Sequence, residues 1–215
     1  SFPTRRSSDL AGDIFDNEYE ALDDPQELAS TLADLESTYG TYACYGNHDI
    51  QEPILAGFTF HQNGKKMSDP RMDTFLKQAG ITLLRDETIE IDHAFYLCGR
   101  PDYERPGRGI DTRKTPKELT EELDLTKPLI VIDHEPRELN ELSEVGVDLD
   151  LCGHTHDGQV FPLTLITDMV WENACGYLKK GSMHNIVTSG VGVFGPNMRV
   201  GTKSEICMID IQFLS

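Results

Sequence analysis

Two stretches decide the fold: Leu129-Ile130-Val131-Ile132-Asp133-His134-Glu135-Pro136 and Leu149-Asp150-Leu151-Cys152-Gly153-His154-Thr155-His156. Each is a short apolar run that stops at a polar, histidine-bearing cluster. Between them, Arg137 to about Val145 reads as a helix that ends near Gly146, where glycine permits a left-handed stop. Strands alternating with helices predict an α/β sheet.

The same alternation extends upstream. Asp24-Pro25-Gln26-Glu27 carries a cap, a first-turn proline and a glutamate three residues after the cap. A helix is expected from there to about Ser37, with Leu28, Leu32 and Leu35 on one face. Thr41 to Tyr45 reads as a strand. Asp69-Pro70 opens a second helix with Phe75 and Leu76 inward and Gly80 as its stop. Ile81–Leu84, Thr88–Ile91 and Ala94–Cys98 read as strands, and Thr115-Pro116-Lys117-Glu118 is a second capping box. Downstream, Asn185–Ser189 and Glu205–Ile211 are expected strands. A late run of strands without an intervening helix predicts a second, antiparallel portion.

The chain of 215 residues is 38% apolar and 26% charged, enough to bury a core rather than stay disordered. Its net charge of −18 repels nucleic-acid backbone and anionic lipid. No apolar run is long enough to span a bilayer, and no signal-peptide pattern follows Arg5 and Arg6. None of the five cysteines forms a Cys-x-x-Cys pair, and Cys44, Cys98, Cys152 and Cys207 lie in apolar runs. They read as buried free thiols in a reducing setting, which favours a cytoplasmic location. Residues 1–10 are basic and serine-rich, without strand periodicity. They are expected to be foreign to a single domain that occupies residues 11–215.

Four polar clusters carry the chemistry: Gly12-Asp13-Ile14-Phe15-Asp16, Gly46-Asn47-His48-Asp49, Asp133-His134-Glu135-Pro136 and Gly153-His154-Thr155-His156. Taken singly, each reads as a turn or as an ordinary structural histidine. Together, placed after strands, they could converge at one sheet edge, where ligands bind in open α/β sheets. Their donors are carboxylate, amide oxygen and imidazole, without thiolate, a set that suits Mn, Fe, Zn, Ni or Co. His154 and His156 are close enough to repel when protonated, which also favours a metal.

The order Gly-Asp-x-x-Asp, Gly-Asn-His-Asp, a strand-borne His, then Gly-His-Thr-His resembles the calcineurin-like metallophosphoesterases. The resemblance covers about Ala11 to Ile211. Gly153-His154-Thr155-His156-Asp157-Gly158-Gln159 is further similar to a bacterial branch that usually has Gly where Asp157 stands. The resemblance implies two mixed β-sheets packed face to face and flanked by helices. It implies two divalent transition metals, with Asp13 as the bridging ligand, Asn47, His134 and His154 on the second metal, and His156 on the first. His48 is implied to steady the transition state or protonate the leaving group, with Asp49 orienting it and Asp16 supporting from behind. The family's Asp-x-His motif for the first metal is missing. Asp9 cannot replace it, because four residues of strand set it roughly 13 Å from Asp13. The chain is therefore expected to hold the second metal better than the first.

The implied activity is hydrolysis of a phosphomonoester or phosphodiester by a metal-activated water. The alternatives are a phospholipid or lipid-precursor pyrophosphate hydrolase at a membrane, which an anchor ahead of this segment would favour, and a catalytically impaired metal-binding protein. The expected partner is a small phosphate-ester or phospholipid-like substrate, with no nucleic acid. Irregular stretches Ile50–Pro70 and Gly99–Lys114 are expected to be functional loops. Arg100, Arg105 and Arg108 could meet a substrate phosphate or simply be solvated. His61 could line a cleft, Gly64-Lys65-Lys66 reads as loop, and Trp171, Tyr177 and Phe194 shape a pocket or merely pack.

Overall fold

Alternation within two strands builds the layers. In Thr41–Cys44, Tyr42 and Cys44 face one way and Ala43 the other; in Leu129–Asp133, Ile130 and Ile132 oppose Leu129 and Val131. Side chains of a strand alternate between its two faces, so strands apolar throughout must be covered on both. The computed structural model describes residues 7–35, 37–51, 54–55, 58–59, 69–107 and 109–212. Its elements run β1 (Ser8–Ala11), α1 (Pro25–Ala33), β2 (Thr41–Cys44), β3 (Ile54–Leu55), β4 (Phe58–Thr59), α2 (Pro70–Gln78), β5 (Ile81–Leu83), β6 (Glu87–Ile91) and β7 (Phe95–Arg100). They continue with α3 (Pro116–Thr120), β8 (Leu129–Asp133), α4 (Leu139–Glu144), β9 (Leu149–Cys152), α5 (Leu163–Val170), β10 (Gly176–Lys180) and β11 (Met183–Val187).

Two sheets pack face to face. The smaller has the order β1-β2-β5, all parallel; the larger, mixed, has the order β10-β11-β9-β8-β7-β6. Tyr42, Cys44, Phe95, Leu97, Ile130 and Ile132 fill the layer between them. Ala29 of α1 and Met72, Phe75 and Leu76 of α2 cover the outer face of the small sheet. Leu119 of α3 and Leu139 and Leu142 of α4 cover the outer face of the large one. This is the expected α/β architecture of two sheets flanked by helices.

Several expectations need correction. Ser8–Ala11 is a strand in register with β2, although residues 1–10 lacked strand periodicity. Helix α1 ends at Ala33, and Leu28 and Leu35 are exposed while Ala29 is buried. A helix, α5, does separate the late strands. No side-chain hydrogen bond caps it, so no cap signal in the sequence marks its start. Strand β10 also went unread. Residues 205–211 form no strand: Glu205 N–H bonds Gly190 O, but no ladder continues from it among the described residues, and a strand needs a ladder partner. Cys207 is accordingly exposed, whereas Cys44, Cys98 and Cys152 are buried free thiols. His61, Gly64-Lys65-Lys66 and Arg108 lie outside the described residues. No helix among the described residues is long and apolar enough to cross a membrane.

Candidate metal centre

The ends of β1, β8 and β9 are tied at one edge. His134 Nδ1–H donates to Ala11 O at 2.8 Å, and Gly153 N–H donates to His134 O at 3.1 Å. The His134 ring wedges between the loops that leave β1 and β2. A Cβ on Gly12 would lie 2.5 Å from His134 Nδ1, and one on Gly46 would collide with both His134 and the Asp13 carboxylate. Gly12 also has φ +83°, so both glycines are demanded by this approach.

Asp49 staples the two loops. It is fully buried and accepts N–H bonds from Asp13 (2.8 Å), Ile14 (2.8 Å), Phe15 (2.9 Å) and Gly46 (2.7 Å). Its expected role of orienting His48 belongs instead to Asn17. Asn17 Oδ1 accepts from His48 Nδ1 at 2.7 Å, and Asn17 Nδ2 donates to Ile50 O, which fixes the amide orientation. Asn17 was legible only as a residue after the first cluster. Asp16 is exposed, with its carboxylate 3.6 Å from His48 Nδ1.

Four of the expected ligands converge. Asn47 Oδ1 lies 2.9 Å from His134 Nε2 and 3.0 Å from His154 Nδ1. His134 Nε2 and His154 Nδ1 are 3.0 Å apart, and Asp13 Oδ2 is 3.4 Å from His134 Nε2. Donors bonded to one ion at about 2.0–2.1 Å stand roughly 3.0–3.4 Å from each other, so this spacing is that of a coordination polyhedron. The proton on His134 Nδ1 leaves Nε2 with its lone pair toward the same point. His154 turns its Nε2 to Glu135 Oε1 at 3.6 Å, the carboxylate arrangement that typically orients a metal-bound histidine.

Electrostatics agree with that fit. Burial, with His134 beside it, depresses His154 to about 3, so it stands as a neutral donor. Burial opposes charge on both Asp13 and His134. Their mutual attraction, joined by the His48 N–H and other imidazoles at Asp13 and by Asp102, Ala11 O and Asp49 at His134, together outweighs it, lowering the carboxyl and raising the imidazole. His156 stands outside this quartet. Burial lowers it, its Nδ1 is buried without a hydrogen-bond partner among the described residues, and Phe194 lies 5.2 Å from its ring. An orphaned buried imidazole nitrogen fits a metal donor. Thus Asp13, Asn47, His134 and His154 could hold one ion, with His156 free to serve a neighbour. His154, His156 and Asp157 have left-handed backbones, and at Asp157 glycine would adopt that conformation without strain.

A buried charge lattice sits under His134. Asp133 receives Arg100 Nη1 at 2.9 Å and Arg113 Nη1 at 2.8 Å, and both guanidinium groups also bind Glu138. Arg100 is thereby removed from any role with substrate. Arg105 is buried, not solvated. Trp171 packs edge-on against His154 at 5.5 Å, and Tyr177 pairs with His184 instead.

A sequence profile described as calcineurin-like phosphoesterase matches residues 10–158. The chain belongs to this family. It is 31% identical over 208 residues to an uncharacterized metallophosphoesterase of Helicobacter pylori, covering 93% of this chain and 49% of that protein. It is 30% identical over 203 residues to an uncharacterized metallophosphoesterase of Aquifex aeolicus, covering 94% and 70%. To Escherichia coli phosphodiesterase YaeI it is 28% identical over 194 residues, covering 86% and 63%. The chain spans about half the length of the first of these relatives. No solved structure matches it.

Proposed function

We propose that the chain hydrolyses phosphate esters, with Asp13, Asn47, His134 and His154 holding one divalent transition metal and His156 serving a second. The mutual spacing of the quartet's donor atoms carries this reading. Ions bound there would supply a low-pKa water and Lewis-acid stabilisation of the phosphoryl oxygens. The chain's own residues do the rest. Asp13 accepts the His48 backbone N–H at 2.8 Å, which fixes the carboxylate and the His48 loop together. Asn17 Oδ1 accepts the hydrogen bond from His48 Nδ1–H, so a neutral His48 offers Nε2 as an acceptor. Only the imidazolium can donate from Nε2 to a leaving-group oxygen. The name of one relative, a phosphodiesterase, supports a diester as the substrate of this chain.

A lipid phosphoester is a second reading, favoured by α5. Its Leu163, Leu165, Ile166, Met169 and Val170 are exposed in the segment that joins His156 to Trp171.

The deciding experiment loads the chain separately with Mn, Fe, Zn, Ni or Co and follows nitrophenolate release from bis-p-nitrophenyl phosphate and p-nitrophenyl phosphate. Turnover of the diester, abolished in Asn47→Ala, is expected. Metal binding without turnover for any ion would instead support a binding protein.

A further inference from the structure

Arg137 differs from the other arginines around the centre. Arg100 and Arg113 are consumed by Asp133 and Glu138, and Arg199 by the carbonyls of His156, Ser189, Gly190 and Gly192. Arg137 uses only Nε, which donates to Glu135 Oε2 at 3.1 Å. Among the described residues neither of its Nη groups has a hydrogen-bond partner, and its side chain is 39% exposed. Yet it is held firmly. Its Cζ lies 5.0 Å from the Trp171 ring and 5.5 Å from the Tyr103 ring. The Tyr103 N–H donates to the same Glu135 oxygen at 3.2 Å.

This fork is wired to the metal donors. Glu135 Oε1 lies 3.6 Å from His154 Nε2, and Trp171 packs on the His154 ring. A guanidinium oriented by two aromatic faces, with both Nη groups open to solvent, is a preorganised bidentate receptor for phosphate oxygens. Preorganisation matters here because the chain's charge of −18 otherwise repels anions. The Trp171 ring contacts both the guanidinium and the His154 imidazole, so the guanidinium stands beside the metal donors and is not one of their cluster. It therefore suits a phosphate beside the reacting one rather than the reacting phosphoryl itself.

We propose that Arg137, clamped by Tyr103, Trp171 and Glu135, is a second anion subsite that selects phosphoesters bearing another phosphate next to the scissile group. This specificity rests on the hydrolase reading, but the subsite itself can be tested by binding alone.

Trp171 is the only tryptophan, so its fluorescence reports on both the metal donor His154 and the guanidinium. The metal-loaded chain is titrated with inorganic pyrophosphate and, separately, with orthophosphate, and affinities are measured by calorimetry. Wild type should prefer pyrophosphate. Arg137→Ala should lose roughly 10–100-fold of pyrophosphate affinity, the effect of removing hydrogen bonds to a charged group. Its affinities for orthophosphate and for the metal alone should stay within about twofold. Arg137→Lys, which keeps the charge without the fork, should recover only part of the preference. An unchanged pyrophosphate-to-orthophosphate ratio in Arg137→Ala overturns the subsite. So does parallel loss of metal binding, which assigns the residue a structural role. If no metal binds wild type, the hydrolase reading fails. The subsite then stands or falls on whether metal-free wild type binds pyrophosphate and Arg137→Ala does not.

Discussion

The quartet of Asp13, Asn47, His134 and His154 and the lone His156 represent two ways of presenting a metal donor. The quartet is assembled before any ion arrives: four of its six donor pairs already lie 2.9–3.4 Å apart, locked by Ala11 O and the Asp49 staple. His156 is half-buried, with an aromatic ring beside it; among the described residues its Nδ1 has no hydrogen-bond partner and it does not join that cluster. The difference teaches that preorganisation comes from shared backbone anchors. Three strand ends and two stapled loops converge on the quartet, whereas His156 lies two residues beyond His154 on the left-handed turn after β9.

The largest expected effect tests the staple. Asp49→Ala strands four N–H donors in the core, at roughly 1–3 kcal/mol each, and should unfold much of the chain or lower its melting temperature severely. Calorimetric melting near wild type would show that the staple is dispensable.

Next comes the asymmetry itself. His134→Ala should weaken binding of the first zinc equivalent by more than about 100-fold, since loss of even an outer partner costs roughly 10–100-fold. His156→Ala should leave that first equivalent within a few-fold and affect only later binding. Equal losses in both variants, read from Trp171 fluorescence during zinc titration, would erase the distinction between the two halves. Glu135→Gln is expected to fall between them, because the His154 ring loses its carboxylate partner.

The smallest effect is a protonation pattern. In the metal-free chain, ring-nitrogen NMR should show His154 neutral down to about pH 4, and His134 charged to higher pH than an ordinary histidine. Metal must then displace the proton of His134 but none from His154. Affinity should fall as pH drops through the His134 titration, by about tenfold per unit, with no added steepening from His154. A second displaced proton near neutral pH would contradict the neutral His154.

Much of this was legible because the signals are local. The caps at Asp24, Asp69 and Thr115 mark helix starts, and each side-chain cap bond is present. Runs such as Leu129–Asp133 must be strands, since five successive buried residues need cover on both faces. The four site clusters were visible through residue type and order. The unread parts depended on distant partners. Helix α5 lacks a side-chain cap, and residues 205–211 look like a strand but form no ladder with any described strand. Arg100 looked like a loop cation because Asp133 is far away in sequence.

By itself, then, the sequence determined the alternation of elements, the glycines that let His134 approach, and the identity of the donor atoms. Tertiary structure decided which groups meet. It assigned Asp49 to the backbone and Asn17 to His48, left His156 apart from the quartet, and turned Arg137 outward between two rings. The reason is range: caps and strand periodicity act over a few residues, whereas a carboxylate's choice among donors depends on what folding brings within about 3 Å of it.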